Sequence, residues 1–171
     1  MPFVTPEQAA AAAESTVRIA LLVELQFRSA TMRLWDGAGK KTVAGVEWQG
    51  VGGFGSVDGL QQLRTTESQK ITLKLSGVTA EMIALAKASR ADVEGRPCYI
   101  WTQLFDAEWQ PIGPRIATYR GLMQRIKLER QGARDLDGGL RACALEVENP
   151  FAARARPPNG RYTDARSEEH T

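Results

Sequence analysis

The run Val17-Arg18-Ile19-Ala20-Leu21-Leu22-Val23-Glu24-Leu25-Gln26-Phe27 decides the fold class. Val17, Ile19, Leu21, Val23, Leu25 and Phe27 recur at every second residue, while Arg18, Glu24, Gln26 and Arg28 take the other parity. A period of two puts one apolar side against a core and predicts a half-buried strand. After a break at Ser29-Ala30, Thr31–Trp35 resumes the pattern, Met32 and Leu34 alternating with Thr31, Arg33 and Trp35. Asp36-Gly37 with Gly39 is a turn signal. The two runs predict a hairpin.

Toward the C-terminus the same period returns. Val43–Val51, around Trp48, runs into the glycine-rich stretch Gly50–Gly55. No Lys-Ser/Thr pair and no helical pattern follow it, so it predicts a loop or bulged strand end and not a phosphate cradle. Lys70–Leu75 alternates with Ile71, Leu73 and Leu75 inward. Thr79 can cap a helix over about 79–90, with Glu81 in its first turn and Met82, Ile83, Leu85 and Ala86 as its apolar stripe. Pro97–Phe105 is apolar on both sides and predicts a central strand. Past the loop carrying Trp109, a strand from Ile116 is expected to bulge at Gly121, turning Leu122, Gln124, Ile126 and Leu128 inward. Leu140–Glu148 is the last strand.

The expected fold is mainly β: an antiparallel β-sandwich or barrel of seven or eight strands with one packed α-helix (about 79–90). The expected core is Val17, Ile19, Leu21, Val23, Leu25, Ile71, Leu73, Leu75, Ile100, Leu145 and Val147. Three parts follow: an N-terminal arm at 1–16, a β-rich domain at 17–151 and a C-terminal arm at 152–171. Pro6 and the alanines Ala9–Ala13 predict a short helix inside the first arm, either a cap on the domain or a piece that docks on a neighbour. The second, with Pro157, Pro158 and mixed charges, is too polar to order itself, so both ends are expected to be flexible.

Composition narrows the chemistry. The chain has 171 residues, 43% hydrophobic and 25% charged, with a net charge of +2. That balance argues against a dedicated nucleic-acid binder. No secretory leader pattern opens the chain and no apolar run reaches membrane-spanning length, so synthesis in the cytoplasm is expected. The one histidine, His170, lies beside the C-terminus, far from any pattern that would hold a catalytic base or a metal. Cys98 and Cys143 sit in apolar segments and are expected as two buried thiols, with a disulfide between them as the alternative. Asp106 and Glu108 are the nearest thing to a catalytic carboxylate pair, but acids in a proline-bounded loop are ordinarily solvated. No catalytic residue, cofactor or metal is expected.

What remains is contact. Trp35, Trp48 and Trp109 fall at strand ends or in loops, and Val51, Phe54 and Val57 lie in an apolar loop with no evident local cover. Those six are the candidate interface residues, since tryptophan is enriched among interface anchors and exposed apolar loops mark partner contacts. Arg125, Lys127, Arg130 and Arg134 cluster at one turn, which predicts a solvated hairpin end or, in a ring around a DNA conduit, a weak lumen contact with DNA.

Several segments, in order, resemble a family of tail proteins of long-tailed phages and gene-transfer particles. They are Leu34-Trp35-Asp36-Gly37; Val46-Glu47-Trp48-Gln49-Gly50-Val51-Gly52; Leu73-Lys74-Leu75-Ser76-Gly77-Val78; Glu94-Gly95-Arg96-Pro97; Leu104-Phe105-Asp106-Ala107; Tyr119-Arg120-Gly121-Leu122-Met123; Leu145-Glu146-Val147-Glu148-Asn149-Pro150; and Arg161-Tyr162-Thr163-Asp164. These are turn and strand-end signatures, not catalytic motifs. The resemblance implies a non-enzymatic virion component of the distal tail, tail tip or baseplate. It would form a homo-oligomeric ring, trimer or hexamer, and contact the tail tube and tail-tip proteins. Relatives with an iron–sulfur cluster use several cysteines in a C-terminal domain; those cysteines are not in this sequence, so no metal is carried over. Two other classes stand beside this one. A tail-associated cell-wall hydrolase would need a pocket around Asp106 and Glu108. A small β-barrel ligand-binding module would be a monomer with exposed aromatics on one sheet face.

Overall fold

The computed structural model describes residues 4–52, 54–58, 70–75, 90–130 and 141–150. The expected helix over about 79–90 lies outside these residues except for Arg90, and the arm at 152–171 lies wholly outside them. The described chain is mainly β. In order it runs α1 (Pro6–Ala12), β1 (Arg18–Gln26), β2 (Thr31–Trp35), β3 (Lys40–Val43), β4 (Val46–Gly50), β5 (Phe54–Asp58), β6 (Lys70–Leu75), α2 (Arg90–Val93), β7 (Pro97–Phe105), β8 (Pro111–Arg130) and β9 (Arg141–Glu148).

The nine strands form one sheet ordered β3-β4-β2-β1-β7-β8-β9-β6-β5. It ends in β3 and β5, so it is an open sheet and not a closed barrel. It is also mixed: β2 and β4 pair in parallel, while the other pairings are antiparallel. The expected β1–β2 hairpin forms, with Gln26 opposite Thr31 and Leu22 opposite Trp35. The expected single strand around Trp48 is a hairpin of its own, because Ala44 and Gly45 both take positive φ (51° and 74°) and reverse the chain.

Register explains how the core is shared. Val23 lies opposite Leu34 on one side and Ile100 on the other. Met123 lies opposite Val147, which lies opposite Ile71. These side chains therefore share one face and, with Leu25, Leu73, Cys98, Cys143 and Leu145, make the larger core. A smaller cluster of Ala20, Leu22, Trp35, Val43, Trp48 and Phe105 fills the opposite face. β1 is thus buried on both sides through Leu22–Leu25, and the one-sided burial expected from its period holds only for part of its length.

The expected core divides accordingly. Val23, Leu25, Ile71, Leu73, Ile100, Leu145 and Val147 are buried. Val17 and Ile19 are 38% and 53% exposed, and Leu21 is half-buried. Their parity is right, but burial needs cover, and no described residue covers that end of the face. The side chain of Leu75 is outside the described residues. The bulge expected at Gly121 falls instead between Met123 and Arg125. Met123, not Leu122, is the core residue.

Two polar fastenings hold the periphery. Asp92 accepts from the backbone N–H and the hydroxyl of Ser29, each at 2.8 Å, tying α2 to the β1–β2 loop. Gln8 tethers α1: its amide donates to the carbonyls of Ile112 (3.1 Å) and Pro114 (2.6 Å), and the side chain is fully buried. Thr5 and Gln8 also form a capping box that starts the helix. The helix within the 1–16 arm is therefore fastened to the domain by its own side chain, as a cap.

Leu73→Ala or Leu145→Ala should cost about 2–5 kcal/mol, whereas Ile19→Ala should stay within about 0.5 kcal/mol. Urea unfolding of the three variants checks the register, and equal losses at all three positions would refute it.

Candidate interaction surface

The turn between β7 and β8 is built on Asp106. Its Oδ1 accepts from the backbone N–H groups of Glu108 (3.0 Å) and Gln110 (2.7 Å), and its carbonyl accepts from Trp109 N–H at 3.2 Å. The turn forces Trp109 to φ +58°, a left-handed conformation that costs a non-glycine residue about 1–2 kcal/mol. The indole is 45% exposed. It rests on Phe105 with ring centroids 5.5 Å apart, and Lys41 Nζ donates to the Trp109 carbonyl. A large aromatic is thus held outward by a rigid turn, which lowers the ordering cost of docking.

The other candidate interface residues fare differently. Trp35, Trp48 and Val51 are buried within the chain itself, the tryptophans covering the edge of its core. Trp35 Nε1 donates to Gly39 O at 3.0 Å, and Val51 N–H donates to Trp35 O at 3.1 Å. Gly50 N–H donates to Gly39 O at 2.6 Å, and a Cβ at Gly50 would run into the backbone of the 37–39 turn. The Trp-Asp-Gly turn and the Gly50-Val51-Gly52 segment therefore pack on each other, and their residues serve that junction. Asp36 belongs to it: its Oδ2 accepts from Leu21 N–H at 3.1 Å, and burial raises its carboxyl above the ordinary 3.8. Phe54 and Val57 lie in β5, not in a loop, and their side chains are outside the described residues.

Beside the Trp109 turn, one face of the β7–β8 hairpin carries aromatic and cationic side chains that the sequence reading did not join. Tyr99 and Trp101 stack at 5.5 Å with 14° between planes, and Trp48 meets Trp101 edge-on at 5.8 Å. The Arg115 guanidinium lies 4.3 Å above the Trp101 ring, and Arg120 lies 5.5 Å from Tyr99. Neither arginine has a carboxylate partner among the described residues, whereas Arg33 on the same face pairs with Glu24 at 2.8 Å. Arg115 Nη1 is shielded from solvent with no acceptor among the described residues, a state that ordinarily costs about 1–3 kcal/mol. Tyr99, Trp101 and Phe105 share a parity that was legible. Placing Arg115 and Arg120 beside them required the hairpin register, with Ala117 opposite Trp101 and Arg120 opposite Tyr99.

The catalytic alternatives gain no support from geometry. Asp106 is a turn acceptor and Glu108 is exposed. No group of three metal-ligand side chains occurs among the described residues. Cys98 and Cys143 are buried and form no disulfide with each other, and burial pushes the Cys98 thiol up to about 12. On β8, Lys127 pairs with Glu146, and the Arg130 and Arg134 side chains are outside the described residues. No helix among the described residues is long and apolar enough to cross a membrane.

No family model and no curated protein matches the chain. Among solved structures, its fold is similar to that of a chain in the "Virion of native gene transfer agent (GTA) particle", with a TM-score of 0.65 and 16% identity over 92% of this chain. The match covers 49% of that chain, so this sequence spans about half its length. At that identity the likeness is one of fold.

Two outcomes follow from the Asp carboxylates. Asp106→Ala should cost about 1–2 kcal/mol through two lost amide bonds, and Glu108→Gln should stay within about 0.5 kcal/mol; a denaturant series decides. Asp36→Asn keeps an acceptor for Leu21 N–H but carries no charge to bury. Because the Asp36 carboxyl is raised in the fold, the wild type loses stability as pH climbs through the carboxylate range. The Asn variant should therefore melt at or above wild type at pH 7, with the margin shrinking as pH falls toward about 4 and levelling off below it. A margin that grows on acidification would refute the assignment.

Proposed function

We propose that the chain is a structural component of a phage-type virion, a distal-tail, tail-tip or baseplate protein that forms a ring and links the tail tube to the tip. The fold it shares with a gene-transfer-particle chain carries the reading. The order of its turn motifs, from Leu34-Trp35-Asp36-Gly37 to Leu145–Pro150, supports it. Virion location and non-enzymatic action follow from the same reading, as does association with other virion proteins.

A scaffold role asks for rigid projections that neighbours can grip. Trp109 meets that need, because its turn is closed by Asp106 and its backbone is held against its own preference. Ring closure requires two different patches on each copy, meeting head to tail. The Trp109 turn is one such patch.

Mass spectrometry of purified particles from a producing host should find the chain, and deletion of its gene should give particles whose tails lack distal density in electron micrographs. Trp109→Ala should leave the melting temperature within a few degrees while lowering incorporation into tails. Absence of the chain from purified particles would overturn the reading.

A further inference from the structure

We propose that the Arg115–Arg120 face of the β7–β8 hairpin receives the acidic Trp109 turn of a second copy, with Glu108 as the carboxylate that the two guanidiniums bind. The proposal rests on the tail-protein reading and names the second patch that a ring requires.

The unmet chemistry of the face points to a carboxylate. A guanidinium lying flat on an indole keeps its N–H edges in the ring plane, directed away from the aromatic, and that fork fits a carboxylate bidentately. The Arg115 guanidinium carbon lies 4.3 Å from the Trp101 ring centroid, and the side chain has no carboxylate partner among the described residues. Arg120 lies 5.5 Å from the Tyr99 ring centroid, is exposed, and has no acid paired with it among the described residues. The same face already shows the chemistry satisfied once, where Arg33 takes Glu24. Aromatic shelves under charged forks make such a contact strong, because the rings exclude water from the pair.

Complementarity selects the occupant. The turn Asp106–Gln110 presents an exposed carboxylate, Glu108, next to an exposed indole, Trp109, on a frame closed by Asp106. An acid and an aromatic side by side match two guanidiniums and two aromatics side by side. The turn is the tip of the hairpin, and the receiving residues lie on its flank, since Trp101 and Tyr99 stand four and six residues before Phe105 ends β7. Tip on flank is a head-to-tail contact between unlike surfaces, the kind that closes rings. A nucleic-acid phosphate would also suit two arginines, and an oligonucleotide arm of the test separates it from the carboxylate.

Sedimentation velocity of the full chain over a concentration series tests this, with thermal melting as the fold control. Wild type should self-associate. Glu108→Arg and Arg120→Glu should each weaken association by about tenfold or more, the usual worth of a charge-assisted contact, at unchanged melting temperature. Mixing these two variants should restore association, because in alternating copies one contact is charge-reversed on both sides and the next is native. Arg115→Gln, which keeps the size of a polar side chain, should weaken association if a charge reversal there fails to fold. Wild type that associates with no change in any variant, or no rescue on mixing, overturns this contact and leaves the virion reading standing. Wild type that stays monomeric throughout overturns the self-contact, and the particle experiment then judges the virion reading separately. Binding of a single-stranded oligonucleotide that Arg115→Gln abolishes while association persists overturns it in favour of a nucleic-acid face.

Discussion

Strand β8 carries the sheet across its two halves. Over Pro111–Leu122 it pairs with β7 along one edge, and over Leu122–Arg130 it pairs with β9 along the other. β9 in turn holds β6, and β6 holds β5. The connection from α2 closes on the same strand, where Gly95 N–H donates to Met123 O and Met123 N–H to Arg96 O, each at 2.8 Å. Near this exchange of partners stands Gly121, where a Cβ would lie 2.8 Å from the Glu148 carbonyl and closer still to Val147. The larger core gathers across the exchange, so a side chain at 121 would separate the layers that bury Met123, Val147 and Ile71.

Polar groups in this fold are spent on placing elements. Gln8, Glu24, Asp92 and Gln103 are all buried. Gln8 and Gln103 both donate to the Ile112 carbonyl, so α1, β7 and β8 meet at one acceptor. A carbonyl has two lone pairs, and here both are used. Asp92 does the same for α2 and the first hairpin. Such groups add modest net stability but impose one geometry, since a misplaced element would leave them unpaired.

That division of labour bears on function. Buried Gln8 and Asp92 fasten the two helices, while the surface carries Trp109 and the arginine pair Arg115 and Arg120. Both lie on one hairpin, which the sheet holds from β1 on one side and β9 on the other. A rigid hairpin with an aromatic tip and a cationic flank suits assembly with neighbours.

The sequence by itself determined most of the long strands, their periods and much of their facing. Alternation along β1, β6 and β9 identified Val23, Leu25, Ile71, Leu73, Leu145 and Val147, because a strand's side-chain period is fixed by its backbone. It located Trp109 in a turn. Tertiary structure decided what covers each face, which no period encodes. Ile19 has the same parity as Val23 yet stays exposed, and Trp48, set at a strand end, is fully buried because β3 and β4 fold back beside β2. It also decided the pairing of Tyr99 with Arg120 and Trp101 with Ala117, which rests on a bulge in the hairpin and on hydrogen bonds between residues distant along the chain. Which side chains meet on a sheet depends on register, and register is settled by the whole set of contacts that bury one face and not the other.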